Sequence, residues 1–154
     1  MCRFCWFLSI VLAIAGVGLA WKFILSGETV PASDGRTAIV LEAGERDLVL
    51  VEMRAFLEAV QKVLDASVRG DVTAVAEAAR AVGRAAATPV PGSLLGKLPL
   101  GFKQLGFATH DGFDRLAMDV DALDDTTEVP ERLAQLTNNC VGCHAAFRLE
   151  VGAR

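Results

Sequence analysis

The sequence predicts an all-α protein, an antiparallel four-helix bundle preceded by one N-terminal hydrophobic helix. Four stretches repeat apolar residues at the spacing of an amphipathic helix, and no strand-like alternation of apolar and polar residues stands out. Short first and third connections with a longer second connection are typical of an antiparallel bundle. At 154 residues, 53% of them hydrophobic, the chain has room for one domain beside the N-terminal segment.

The charge balance argues against nucleic acid as a partner. The formal net charge is -4, and the N-terminal segment holds Arg3 and Lys22 but no acidic residue, so the remainder is more acidic still. Nucleic-acid binding requires a basic face, which this composition does not supply.

An uncharged run at the N-terminus is long enough to cross a membrane. Residues 4–21 carry no charged side chain, and about 20 apolar residues span the hydrocarbon core of a bilayer. Trp6 and Trp21 lie near the two ends of the run, where aromatic side chains favour the interface. We therefore interpret residues 1–25 as an uncleaved signal-anchor, a transmembrane helix of the bacterial inner membrane.

A cleaved signal peptide is the alternative interpretation of the same segment. Gly18 and Ala20 place small residues at the two positions that a signal peptidase reads. The apolar run is longer than the usual core of a signal peptide, which favours the anchor. Either interpretation exports the rest of the chain, so we expect a domain that faces the periplasm, on the membrane or free in solution.

Residues 26–39 are polar and contain Gly and Pro, so we expect a tether between the anchor and a domain of residues 40–154. Asp71, directly after Gly70, is a good N-cap for the second helix, and Pro130 suits the first turn of the fourth. The predicted helices cover residues 40–69, 72–87, 100–123 and 130–151.

A C-x-x-C-H motif lies in the last predicted helix, at Cys140, Cys143 and His144. This is the attachment signature of a c-type haem. On a helix these positions share one face, so both thiols can bond to one porphyrin while the imidazole binds the iron. Leu133 and Leu136 continue the same stripe, which predicts that the motif faces the core. Bacterial c-type haem is joined outside the cytoplasmic membrane, so export and motif agree.

The cysteines have two other candidate functions, a zinc site and a thiol redox motif. Cys2 and Cys5 form a second C-x-x-C pair, and two such pairs can bind zinc. If residues 1–25 span a membrane, however, the two pairs lie on opposite sides of it and cannot share a metal. A thiol redox motif needs a βαβ context, which the sequence does not predict. We therefore expect one covalently attached haem c, with its iron, as the cofactor.

The chain resembles the class II c-type cytochromes, the cytochrome c′ family, as a membrane-anchored variant. The resemblance lies in a four-helix domain whose last helix reads Cys140-x-x-Cys143-His144-x-x-Phe147-Arg148, and it covers residues 40–154. Most other c-type cytochromes bind haem near the start of their domain. Class I members usually have a methionine ligand downstream, whereas none of the ten residues after His144 is methionine.

The resemblance implies a role for each residue of the motif and for the first helix. Cys140 and Cys143 would carry the thioether bonds, His144 would be the proximal iron ligand, and Arg148 would lie near that histidine. The distal ligand would come from the first helix, and an arginine four residues before it would lie near a haem propionate.

Three distal arrangements remain open. Arg46 followed by Leu50 fits the family spacing and gives an apolar distal site without a ligand. Met53, one turn further along, would be a methionine ligand to the iron. His110, on the third predicted helix, would give a bis-histidine iron.

The function expected from the resemblance is single-electron transfer in a periplasmic or membrane-associated redox chain, by a carrier rather than an enzyme. Its partners would be redox proteins and the inner membrane, and a homodimer is open because family members often pair through their first two helices. A five-coordinate iron that binds nitric oxide or carbon monoxide is the alternative. A haem-free helical membrane protein is a second alternative.

Overall fold

The structure, a computed structural model, describes residues 3–87 and 90–152. Helices dominate, as the sequence predicts, but a small sheet joins the two ends of the domain. The elements are α1 (Arg3–Ala20), a π-helical turn (Trp21–Ser26), β1 (Thr29–Pro31), β2 (Thr37–Leu41), α2 (Ala43–Val68), α3 (Val72–Arg80), a 3₁₀ turn (Arg84–Ala87), α4 (Gly92–Lys97), α5 (Leu100–Leu123), α6 (Val129–Ala146) and β3 (Phe147–Val151).

Helices α2, α3, α5 and α6 pack in a closed circuit, in which α2 contacts α3 and α6 while α5 contacts α3 and α6. Helices α5 and α6 run antiparallel, because Gly112 lies against Leu136 and Gly101 lies against the Phe147 ring. The main core fills the space between these helices. Its buried side chains include Phe56, Val63, Val75, Phe113 and Leu133.

The predicted tether is wrong in its main feature, because residues 26–39 are folded onto the domain. β1 pairs antiparallel with β2, and β2 pairs parallel with β3, with Thr37 opposite Phe147 and Leu41 opposite Val151. Residues 37–41 include Ile39 and Val40, β-branched residues that favour a strand over a helix start. A second buried cluster lies under the sheet. It contains Ile39, Leu41, Val49, Leu94 and Leu98.

Helix boundaries follow the sequence in part. α5 has the predicted bounds, whereas α2 begins at Ala43 rather than residue 40 because β2 occupies the preceding residues. α3 ends at Arg80, and a turn and a 3₁₀ segment replace the rest of the predicted second helix. The connection that follows contains a short helix, α4.

The last helix stops at Ala146, five residues before its predicted end. Phe147, Leu149 and Val151 alternate with Arg148 and Glu150, which is the period of a strand rather than of a helix. The expectation that no strand is present is therefore wrong at both ends of the domain. The haem motif consequently lies in the final turns of α6, directly before a strand.

One helix in the described part of the chain, Phe4–Ser26, is long and apolar enough to cross a membrane, with a mean hydropathy of 2.2 and no buried residue. A signal sequence would have the same properties. The chain then turns sharply at Gly27 (φ +62°), where a Cβ would lie 2.3 Å from the Lys97 carbonyl oxygen. Glu28 N–H donates to that oxygen at 2.7 Å. The apolar helix is thus attached directly to the α4–α5 junction.

Candidate functional site

The last turns of α6 bring Cys140, Cys143 and His144 together, as the motif predicts. The two cysteines are half-buried and unpaired, and His144 is exposed. The spacing of three and four residues places all three on one side of the helix. The prediction that the motif faces the core is wrong for His144, because the helix ends two residues later and its last turn extends past the buried layer that ends at Leu133.

Arg36 holds the end of α6 in place. Its guanidinium donates to the carbonyl oxygens of His144 (3.2 Å) and Phe147 (3.3 Å), groups that have no partner within the helix. Asp34 in turn accepts two hydrogen bonds from the Arg36 guanidinium, and it also pairs with Arg148 at 3.3 Å. The backbone beside the histidine is thereby tied to the β1–β2 connection.

The environment of the two thiols keeps them protonated. Burial raises the pKa of Cys140, and burial together with the neighbouring Cys140 raises the pKa of Cys143. A thiolate is the reactive form towards oxidants and alkylating agents. The pair is therefore present as two free thiols near neutral pH rather than as an activated redox pair.

Helix α2 contacts α6 and β3, and one flank of α2 carries the predicted distal residues. Arg46, Leu50, Met53 and Leu57 are separated by four, three and four residues, so they share one side of the helix. Leu50 is 37% exposed and Leu57 70% exposed, and Leu64, on the same side, is 40% exposed. We call this set of exposed side chains, Leu50, Leu57 and Leu64, the leucine flank.

Met53 and the two predicted arginines make other contacts in the protein alone. Met53 is half-buried and packs against both core clusters. The Arg46 guanidinium pairs with Asp47 at 2.7 Å. Besides Asp34, Arg148 pairs with Glu150 at 3.2 Å. Both arginines thus lie in local ion pairs near the surface.

His110 is buried away from the motif. Nδ1 lies 2.8 Å from the Val82 carbonyl oxygen and Nε2 lies 3.2 Å from Glu52 Oε1, while the ring packs at 4.8 Å from Phe56. Burial lowers the pKa of His110, but the hydrogen bonds to Glu52 and Val82 outweigh it, so the net pKa is raised. Both ring nitrogens of His110 therefore have hydrogen-bond partners, Val82 and Glu52. Neither partner belongs to the motif, so the structure does not pair His110 with His144.

The zinc alternative concerns Cys2 and Cys5 together with the two cysteines of the C-x-x-C-H motif. Among the described residues no group of three or more His, Cys, Asp or Glu side chains is arranged to hold a metal ion. Cys5 lies exposed on α1, and Cys2 lies outside the described residues. A haem iron does not need such a group, because one histidine suffices on its proximal side.

Sequence reasoning missed two elements of this region. Arg36 contacts α6 across more than a hundred residues, and no local pattern signals such a contact. The Glu52–His110 pair likewise joins two helices that are distant in sequence. The arrangement at the end of α6 thus combines a local motif with long-range contacts that only the fold supplies.

Comparison with known proteins identifies no relative: no family model, curated protein or solved structure matches the chain.

Proposed function

We propose that the chain is a membrane-tethered monohaem c-type cytochrome that carries single electrons. Cys140 and Cys143 would hold the haem c through thioether bonds, and His144 would be the proximal iron ligand. One observation carries the proposal: two half-buried free thiols and an exposed imidazole on the last turns of α6, a helix packed against α2. The resemblance to the cytochrome c′ family supports the same conclusion.

The residues present suit a haem in their chemistry. The exposed leucine flank on α2 and Val141 on α6, which is 68% exposed, leave apolar surface on the two helices that contact each other. A flat apolar macrocycle between the two helices would cover such side chains. When bound, the haem supplies a one-electron Fe(II)/Fe(III) couple in a low-dielectric setting.

The chain's own residues would then hold and orient that group. Arg36 fixes the carbonyl of His144 and thereby the helix turn that carries the imidazole. Arg46, at the end of the leucine flank, would pair with a propionate in place of Asp47, and Arg148 would lie near the proximal histidine. Met53 is the candidate distal ligand, and it would have to leave part of its core packing to bind iron.

That packing supports a second candidate, a five-coordinate haem protein that binds nitric oxide or carbon monoxide. If Met53 stays in the core, the leucine flank provides an apolar distal side without a ligand. The ferrous absorption spectrum separates the candidates: a sharp low-spin α-band indicates a methionine ligand and electron transfer, whereas a broad high-spin band indicates gas binding.

The finer fold and location are parts of the same proposal. The circuit of contacts among α2, α3, α5 and α6 supports an antiparallel four-helix bundle. The exposed apolar helix supports anchoring in a bacterial inner membrane with the domain towards the periplasm, where redox proteins would be its partners. Membrane fractionation, and protease treatment of spheroplasts against intact cells, test this part.

Covalent haem is the decisive test. We expect the full chain, expressed in a bacterial host that matures c-type cytochromes, to gain the mass of one haem, and its pyridine haemochrome spectrum to show two saturated vinyl groups. A mature protein with no added group, made beside a control cytochrome that is matured normally, would contradict the proposal.

A further inference from the structure

The side of α2 away from the leucine flank borders a cavity of about 350 Å³. Its walls come from α2, residues 86–87 and 90–98, and α5, and none of Cys140, Cys143 or His144 lines it within the described chain. Most lining side chains are apolar. They include Leu48, Val51, Leu94, Leu98, Phe102 and Phe107.

Three polar side chains also line the cavity: Glu52, His110 and Lys103. Lys103 Nζ donates to the carbonyl oxygens of Phe23 and Leu95, each at 3.2 Å, so its charge is already engaged. Glu52 has His110 as its only side-chain partner among the described residues, through Oε1. The second oxygen, Oε2, has no hydrogen-bond partner among the described residues, so it is free to accept from a ligand.

The proton on His110 can be assigned from its partners. The Val82 carbonyl can only accept, so Nδ1 carries a proton, and one further proton lies between Nε2 and Glu52 Oε1. The pair therefore resembles an imidazolium beside a carboxylate. A carboxylate oxygen in a mostly apolar cavity accepts a hydrogen bond, so it favours a ligand with a hydroxyl donor over one that can only accept.

The cavity lies where the apolar helix joins the domain. Phe23, inside the helix that could cross the membrane, meets Lys103 through its carbonyl and packs beside Gly96. Leu95 and Lys103 form part of the cavity wall. A Lys97–Glu45 ion pair at 2.8 Å fixes α4 against α2, so the wall is held in shape. A ligand dissolved in the membrane would have a short path to this cavity.

We infer that this cavity binds a membrane-soluble hydroquinone, a single ring whose hydroxyl donates a hydrogen bond to Glu52 while its apolar substituents fill the space between α2, α4 and α5. The volume suits a ring with a short part of its tail, at the small end of the usual range for ligand cavities. The inference rests on the membrane attachment in the proposed function but not on the haem.

The test is calorimetric titration of the full chain, in detergent, with a decyl-substituted benzohydroquinone, the corresponding quinone and dodecanoate. We expect the hydroquinone to bind at least tenfold more tightly than the quinone, whose carbonyl oxygens cannot donate to Glu52. Equal binding of both forms, tighter binding of dodecanoate, or no binding at all would each overturn the inference.

Two variants localise the binding. Gly106→Leu places a side chain in the cavity, where a Cβ meets nothing within 4 Å, so the substitution fills space without a clash and removes a helix-breaking glycine. It should weaken hydroquinone binding by more than tenfold, whereas the matched change Gly44→Leu, at an open position outside the cavity, should not. Glu52→Gln should weaken binding about tenfold and remove the preference for hydroquinone over quinone.

Haem content and membrane attachment are measured on the same preparation. A protein that binds hydroquinone without haem supports this inference and contradicts the cytochrome, whereas a haem protein that binds no hydroquinone does the reverse. Unchanged binding in Gly106→Leu would also contradict the site assigned here.

Discussion

The two flanks of α2 differ in how they are built. The leucine flank lies on the helix that contacts α6, which carries a motif of five consecutive residues, and its side chains are exposed in the protein alone. The opposite flank borders a partly open cavity whose polar pair, Glu52 and His110, joins two helices far apart in sequence. A site made of residues that are consecutive in sequence can be recognised before the fold is known. A site made of residues that only tertiary contacts bring together cannot.

The largest expected effect is the loss of covalent haem with hydroquinone binding unchanged. Cys140→Ser combined with Cys143→Ser should abolish covalent haem, because no sulfur remains in the motif to form a thioether bond, and hydroquinone binding should persist. Cys5→Ser is the matched control and should keep full haem incorporation. Intact mass and calorimetry of the same samples measure both properties, and covalent haem in the double variant would refute the assigned attachment sites.

Stability should depend more strongly on the backbone at Gly27, which joins the apolar helix to the domain beside the cavity, than on the backbone at Gly35. Gly27→Ala combines a positive φ with a Cβ 2.3 Å from the Lys97 carbonyl oxygen, so we expect a loss of about 3 kcal/mol in the free energy of unfolding. Gly35→Ala is the control, since Gly35 has φ +84° but open space around it, and it should lose about 1 kcal/mol. Equal losses in denaturant titrations would mean that the close approach at Lys97 is unimportant.

The Glu52–His110 pair gives the cavity side a contribution to stability that depends on pH. Because the pKa of His110 is raised in the folded protein, its contribution to stability is fully present below the unfolded value of 6.5 and is lost as pH rises through the folded pKa. Denaturant titrations between pH 5 and 9 should show this decline. Glu52→Gln should flatten it, and an unchanged slope in that variant would exclude the pair as its source.

The sequence of this protein predicts features that depend on residues within one segment better than features that depend on contacts between distant segments. The bounds of α5 and the position of the C-x-x-C-H motif follow from periodicity and spacing within one segment. Residues 147–151 also alternate between apolar and polar side chains, which predicts a strand. Five residues that follow an apolar helical stripe are equally compatible with a continued helix, however. Only pairing with β2, more than a hundred residues earlier, selects the strand.

The same limit explains the candidate site. Cys140, Cys143 and His144 form one local group, whereas the exposure of His144 depends on where α6 stops, and this is set by β3 and Arg36. The sequence makes His110 a candidate ligand because Gly106, one turn before it on the predicted helix, leaves space beside its ring. Its burial against Val82 and Glu52 follows from the packing of three separate segments, which no periodicity encodes.

The smallest expected effect concerns the cap on the motif side. Arg36→Ala removes the donors to the carbonyls of His144 and Phe147, so the free energy of unfolding should fall by about 1 kcal/mol. Hydrogen exchange should speed up most in the last turn of α6 and in β3. The Arg36 side chain, the main cause, lowers the pKa of Asp34 to about 2, so this ion pair contributes stability above the unfolded value of 3.8 and loses it as pH falls through 2.

Arg69→Ala is the matched control for that cap, because Arg69 also pairs with an aspartate, Asp65, but lies on an exposed helix surface. It should cost about 0.5 kcal/mol or less and leave exchange near the motif unchanged. If Arg36→Ala behaves like Arg69→Ala, the end of α6 is set by strand pairing alone, and the orientation of His144 owes nothing to the guanidinium. If exchange rises only beside His144 and Phe147, the orientation of the motif depends on Arg36, a side chain distant in sequence. Ligand binding in the cavity would depend in the same way on Glu52.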